Sequence, residues 1–242
     1  MEVYLVLTKD LNIVITGTSR GVGYELTKKF LSRGNKVWGC SRGNSNIYQK
    51  NYFHTKIDLC EELKIEKWVK KIEKETNKNI DIFISNSSIF NRSFNTLEKD
   101  ISIIETVKIN LLSPILLTKY ISKSMIKNKK GTIIFFSSIA SILEEIGTST
   151  YASSKSGLEA FAKIIKKELS PFKINLNIFR ILYISTKLSN ELDKKKIINL
   201  KRKFKTNKFG TINKIFKQIL NIHYKKENLV NTLLYDKYKN KI

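Results

Sequence analysis

Residues 12–34 read NIVITGTSRGVGYELTKKFLSRG, and this stretch decides the fold. Asn12 to Thr16 is an apolar run of strand length. Gly17, Gly21 and Gly23 then punctuate a turn that also holds Ser19, Arg20 and Val22. Leu26, Phe30 and Leu31 follow at helical spacing, and Gly34 stops the helix. Glycines in such a turn let the backbone approach a pyrophosphate, and free N–H groups at the helix start attract its charge. The spacing is Gly-x3-Gly-x-Gly, so the general G-x-G-x-x-G fingerprint is not met literally.

The rest of the chain repeats the alternation. Strand-like apolar runs at 36–40, 52–57, 80–85, 132–137 and 174–181 are separated by helical stretches at 61–75, 99–126 and 156–169. Asn110 interrupts the 99–126 stretch, and Pro114 is expected to start a new helix there. Strands alternating with helices imply right-handed βαβ units with ligands at the carboxyl ends of the strands. The expected fold is one doubly wound, Rossmann-type α/β domain over residues 1–242, with a parallel sheet of about seven strands flanked by helices. A chain of 242 residues is long enough to bury such a core, and no repeat or Pro/Gly-rich linker divides it.

A second constellation carries chemistry. Tyr151 and Lys155 stand four residues apart in TSTYASSKSGLEAFAKIIKKEL, with Ser138 upstream at the end of GTIIFFSS. Residues four apart share a helix face, so a phenol and an ammonium can enter one pocket. A phenol titrates near pH 10, which is far from ideal for proton transfer at neutrality. An ammonium about 4 Å away, at an effective dielectric of about 20, favours phenolate by roughly 4 kcal/mol. Lys155 is therefore expected to lower the Tyr151 pKa, and a Ser hydroxyl opposite can hold the reacting oxygen.

The two constellations together resemble the short-chain dehydrogenase/reductase family over residues 12–186. The family's TGxxxGxG is read at Thr16, Gly17, Gly21 and Gly23, and its helix Asn at Asn110 in VKINLL. Its Ser, Tyr and Lys fall on Ser138, Tyr151 and Lys155, and the Asp closing strand three on Asp58 in TKIDL. The NNAG turn is altered to Ser85, Asn86, Ser87, Ser88, and Ile181 and Leu182 replace a Pro-Gly pair, while Thr186 is retained. The resemblance implies hydride transfer between a nicotinamide and a carbonyl or carbinol carbon. Tyr151 would be the acid/base and Ser138 the hydrogen-bond partner. Lys155 would tune Tyr151 and hold the ribose, and Asn110 would order a water. The cofactor would lie against Thr16, Gly17, Ser19, Arg20, Gly21, Val22 and Gly23, then Asp58, Leu59, Asn86, Tyr151, Lys155, Ile184 and Thr186.

Cofactor choice is read from Ser41 and Arg42. An acid that would hold the 2′-OH of NAD is missing about twenty residues past the glycines. A Ser and a guanidinium there, with Arg20 before Gly21, suit a 2′-phosphate instead. NADP(H) is the expected cofactor.

A formal net charge of +24 would ordinarily suggest an anionic partner. The excess is almost all Lys, 39 against 6 Arg, beside 35 Ile and 22 Asn. That trio is what A/T-rich codons encode, and the lysines are scattered, so nucleic acid is not the expected partner. Cys40 and Cys60 are too few for a metal site, and no metal is expected. His54 and His223 are read as ordinary residues. Five consecutive apolar residues near the start are too short for a signal peptide, and no stretch is read as membrane-spanning, so a cytoplasmic protein is expected.

The expected substrate is a small-molecule or acyl-carrier-bound carbonyl compound. Residues 187–209 are expected to form the substrate lid, with Glu144 and Glu145 near the pocket mouth. Lys127, Lys129, Lys130 and Lys173 would offer a basic surface beside the pocket. Apolar residues Leu117, Tyr120, Ile121, Leu158, Phe161, Ala162 and Ile165 point to a homodimer or homotetramer. A cofactor-binding protein that has lost turnover is the other reading, suggested by the altered turn motifs.

Overall fold

The computed structural model describes residues 10–143, 145–181, 184–185, 210–225 and 232–233. The opening stretch folds as β1 (Asn12–Thr16) followed by α1 (Gly21–Leu31). Then come β2 (Lys36–Ser41), β3 (Tyr52–Lys56), α2 (Glu62–Glu75), β4 (Ile82–Ser85), α3 (Asp100–Val107) and α4 (Ser113–Asn128). β5 (Gly131–Ser138), α5 (Ser149–Leu169), β6 (Ile174–Ile181), β7 (Ile184–Ser185), β8 (Gly210–Thr211), α6 (Ile212–Lys225) and β9 (Thr232–Leu233) complete the described elements.

The main sheet runs β3-β2-β1-β4-β5-β6-β9, all parallel. Six strands of four to eight residues carry it, and β9 adds a two-residue pairing at the edge. β7 and β8 pair separately. The chain winds outward from β1 to β3, then returns to β4 on the other side of β1. That reversal opens a crevice at the carboxyl ends of β1 and β4.

Both sheet faces are covered, so the strands are apolar on both sides. Val14, Ile133, Phe135, Leu176 and Ile178 pack toward one layer of buried side chains from α2, α4 and α5. Ile13, Ile15, Ile134, Phe136 and Phe179 pack toward the other, from α1 and α6. Phe30 of α1 meets Phe216 of α6 edge-on at 4.9 Å between ring centres.

The interruption expected at Asn110 takes an unforeseen form. The helix is not broken; Lys108–Leu112 forms a π-helical turn that joins α3 to α4. The helical run 100–128 is long and apolar enough by composition to cross a membrane. Burial of Leu117, Ile121 and Met125 in the core accounts for much of that composition. The helix expected over 156–169 begins earlier, at Ser149, so Tyr151 and Lys155 both lie on it.

Lys127, Lys129, Lys130 and Lys173 do not lie beside the pocket. They precede β5 and β6 at the amino ends, whereas Ser138 closes β5, roughly 23 Å away at 3.3 Å per residue. Lys130 is already engaged there, 2.8 Å from buried Asp81.

His223 of α6 lies 2.9 Å from Thr132 Oγ1 through Nδ1. Burial lowers its pKa from 6.5 to about 4. The fold keeps this imidazole neutral while the unfolded chain takes up a proton, so acid favours unfolding as pH falls from 6.5 to about 4. Urea denaturation should show wild type losing roughly 2–3 kcal/mol more than His223→Asn between pH 7 and pH 4.5. Parallel losses would contradict this assignment.

Candidate active site

A cleft of about 570 Å³ lies at the carboxyl ends of β1, β2 and β4. Gly17, Ser19, Arg20, Gly21, Ser41, Arg42, Asp58, Leu59 and Asn86 line it, as expected from the sequence. Gly17 and Gly21 both have positive φ, +74° and +63°, which favours glycine. Space is open where a Gly21 Cβ would stand. The start of α1 has neither a side-chain cap nor an acid in its first turn. Its orphan N–H groups are thus left for a ligand.

Among the described residues, five expected cofactor contacts do not line the cleft: Thr16, Val22, Gly23, Tyr151 and Lys155. Thr16 is fully buried, and its Oγ1 accepts the backbone N–H groups of Asn86 at 3.0 Å and Ser87 at 2.9 Å. Gly23 serves packing: a Cβ there would fall on the Gly17 carbonyl oxygen. Val22 packs against the core. Asn86, the surviving residue of the altered turn, donates through Nδ2 to the Thr16 carbonyl at 2.9 Å and the Gly17 carbonyl at 3.2 Å. It clamps the glycine turn from the neighbouring strand end. Ile184 is described only through its backbone, in β7, while Thr186, Glu144 and 187–209 lie outside the described residues.

The cleft reaches Ser88 and Ile89, and here the second constellation gathers. Ser138 and Ser88 stand beside the Tyr151 hydroxyl, and both act to lower its pKa. Phe90 packs edge-on against the Tyr151 ring at 4.8 Å. Lys155, buried and one turn on, places Nζ 5.9 Å from the Tyr151 ring centre and donates to the Phe136 carbonyl at 3.0 Å. Asn110 accepts from the Ile89 N–H at 2.9 Å and Ser88 Oγ at 3.1 Å, and donates to the Ile89 carbonyl at 2.9 Å and Ser154 Oγ at 3.1 Å. Those four contacts fill its amide, so the side chain pins the 88–89 loop to α5 and has no site left to order a water.

The short chain dehydrogenase family model matches residues 11–197, more than three quarters of the chain. The chain belongs to the short chain dehydrogenase family. A 3-oxoacyl-acyl-carrier-protein reductase of Buchnera aphidicola subsp. Baizongia pistaciae is 29% identical over 211 residues, covering 84% of this chain and 86% of the relative. A short chain dehydrogenase of Leptospira borgpetersenii with bound NAD+ superposes with a TM-score of 0.82 at 21% identity, covering 94% of this chain and 92% of the other. A 4-hydroxyisoleucine dehydrogenase complexed with NADH gives 0.81 at 20% identity, covering 93% and 96%. These two share the fold.

In this short chain dehydrogenase the electrostatics differ from those expected of the Tyr–Lys spacing. Burial pushes the Tyr151 phenol above its usual pKa, outweighing the lowering effect of Ser138 and Ser88. The Lys155 ammonium is aimed at the Phe136 carbonyl rather than at the phenol oxygen. Burial instead acts on Lys155, pulling it down to about 8, with Glu159 opposing.

Four contributors were not legible. Ser88 stands where the NNAG pattern has its Gly and brings a second hydroxyl to Tyr151. Phe90 and Ser154 hold Tyr151 and Asn110 in place. His54, read as ordinary, has Nε2 2.8 Å from Ser41 Oγ at the far end of the cleft. The departure at Ser88 was a signal in the sequence; the other three needed the fold.

Proposed function

We propose that this protein is an NADP(H)-dependent oxidoreductase that interconverts a carbonyl and a secondary alcohol. The observation that carries the reading is the Tyr151 hydroxyl set beside Ser138 and Ser88, with Ser88 lining the end of the glycine-turn cleft. An uncapped helix start, open space at Gly21 and the cleft's volume of about 570 Å³ fit a dinucleotide. Gly17, Ser19 and Gly21 would hold its pyrophosphate, and Asp58 and Leu59 its adenine. When bound, the nicotinamide supplies the hydride chemistry. Tyr151 gives a proton to the carbonyl oxygen during reduction, and Ser138 hydrogen-bonds the same oxygen. The phenol rests protonated at neutral pH, the form a donor needs, while the raised pKa makes it a weaker acid. Lys155 keeps a positive charge one helical turn away and would hold the nicotinamide ribose. Asn110 keeps the 88–89 loop against α5, fixing Ser88 beside the phenol.

NADP(H) is favoured by Arg20 and Arg42, both exposed at the cleft. Ser41 contributes less than its place suggests, because its hydroxyl donates to the Gly43 carbonyl at 2.8 Å. NADPH should bind at least about tenfold more tightly than NADH, and Arg42→Ala should narrow the gap, since a charge-assisted contact contributes roughly 1.5–3 kcal/mol. Calorimetry giving equal affinities would contradict the cofactor choice.

The substrate is a small-molecule or acyl-carrier-bound carbonyl compound with an apolar group beside the carbonyl. Ser93 N–H donates to the Gly147 carbonyl at 3.0 Å, joining the loops after β4 and β5 on either side of Tyr151. On those loops Phe90, Phe94, Ile142 and Ile146 are exposed. We also infer a homodimer through α4 and α5. Leu117, Ile121, Leu158 and Ala162 are committed to the core, but Phe161 and Ile165 line a groove with Ile115, Ile126 and Phe172.

A panel of acetoacetyl thioesters, cyclic ketones, quinones and sugar aldehydes, with NADPH absorbance as readout, tests the reading. Consumption with at least one compound supports it. Tight NADPH binding without consumption would favour the second reading, a cofactor-binding protein without turnover, for which the altered Ser85–Ser88 turn speaks.

A further inference from the structure

Beneath Lys155, one turn further along α5, a carboxylate is buried that the proposed reaction does not use. Glu159 is only 4% exposed. Its Oε1 accepts from Ser137 Oγ at 2.7 Å and Arg180 Nε at 2.8 Å, and lies 2.7 Å from Ser141 Oγ. Its Oε2 accepts from Arg180 Nη2 at 2.5 Å. Ser137 and Ser141 straddle Ser138: one precedes it in β5, the other closes the 3-10 turn Ile139–Ser141. Ser141 Oγ also lies 2.8 Å from the Ser138 carbonyl oxygen. Ser156 of α5 donates to the Ser141 carbonyl at 3.0 Å, tightening the same junction.

We propose that Glu159 is a positioning residue for the Ser138–Tyr151–Lys155 group. It ties the turn that carries Ser138 to the helix that carries the other two, and it supplies the counter-charge for the buried Lys155 ammonium. The inference deepens the proposed function and rests on it for the importance of those three residues.

The argument is geometric first. Three donors from β5, its following turn and β6 converge on one side chain of α5. A carboxylate can accept all of them, whereas an amide would offer only one acceptor oxygen. Burying the ion pair alone would be weak evidence for stability, since desolvation offsets much of the attraction. Breaking it by removing one member leaves an uncompensated buried charge. Here that charge would stand in the same interior as Lys155.

The charged and titratable groups around Lys155, among the described residues, are few. Tyr151 and Glu159 lie on its own helix, and Arg180 reaches the cluster from β6. β5 offers the neutral Phe136 carbonyl, and the π-helical turn offers neutral Asn110 through Ser154. Glu98, before α3, is turned to Thr150 at 2.6 Å instead. Glu159 is held ionised by its hydrogen bonds, Arg180 first, against the opposing effect of burial. It raises the Lys155 pKa that burial lowers. Removing the carboxylate leaves Lys155 and Arg180 as two buried cations, so the ammonium gives up its proton more easily. Removing Arg180 leaves the carboxylate to Lys155 alone, so the ammonium is held more firmly.

The two changes therefore move Lys155 in opposite directions. The test is the titration of Lys155 in ligand-free protein, followed by NMR of lysines labelled at Cε, for wild type, Glu159→Gln and Arg180→Met. The Lys155 midpoint should fall by about one pH unit or more in Glu159→Gln and rise in Arg180→Met. A purely structural pair would lower the melting temperature in both variants and leave the midpoint where it is in wild type. That result, or shifts of the same sign, would overturn the proposal. If Glu159→Gln does not fold, the sign of the shift in Arg180→Met decides alone. The measurement needs neither cofactor nor substrate. Opposite shifts with no turnover on any carbonyl compound would sink the proposed reaction and leave this inference standing.

Discussion

Tyr151→Phe is expected to reduce turnover by about 10²–10⁴-fold while leaving NADPH affinity within a few-fold. Only the hydroxyl beside Ser138 and Ser88 is lost. The ring keeps its edge-on packing against Phe90, so the 88–90 loop stays in place. Burial holds the phenol in its protonated form, so in the reductive direction it donates and no neighbouring hydroxyl replaces it at the same spot. Steady-state rates on any compound that wild type reduces, with calorimetry for NADPH, check both halves. Retention of more than about a tenth of the rate would remove Tyr151 from the mechanism.

Gly23→Ala should have a comparably large effect through packing. The added Cβ would fall on the Gly17 carbonyl oxygen and 2.5 Å from Asn86 Nδ2. The first of those contacts is backbone, so the glycine turn itself must shift. Overpacking of this kind costs typically about 1–3 kcal/mol. The shift also breaks the clamp that Asn86 applies to the Thr16 and Gly17 carbonyls. Thermal melting should show the loss of stability, and calorimetry a loss of NADPH affinity of about tenfold or more, from misplacing the N–H groups at the start of α1. Unchanged affinity would mean the turn is not the pyrophosphate cradle.

The framework of this molecule was readable because it rests on local chemistry. β1 and β6 begin and end where the apolar runs do, since both strands are buried on two faces and bounded by turns. Gly17, Gly21 and Gly34 could be placed because each adopts a positive φ that favours glycine. The site was legible as spacing and illegible as direction. Four residues between Tyr151 and Lys155 put them on one helix face, but only the fold shows that the ammonium turns to the Phe136 carbonyl. The π-helical turn at Asn110 has no periodic signature of its own, and a break was expected in its place. Ser88 meets Asn110, and Glu159 meets Ser137, across 22 residues, and no local pattern encodes such meetings. The basic surface expected of Lys127, Lys129, Lys130 and Lys173 failed because closeness to a strand says nothing of which end binds.

The most direct test of carbonyl–alcohol chemistry at Tyr151 is isotope transfer. Wild-type protein is given NADPH deuterated at nicotinamide C4 and the best compound of the carbonyl panel, and the alcohol is analysed by mass spectrometry and NMR. The account predicts one deuterium on the carbinol carbon, transferred from a single face of the nicotinamide, and about 10²–10⁴-fold less labelled product with Tyr151→Phe at matched times. Product without deuterium at that carbon, or equal transfer by the Phe variant, would contradict it.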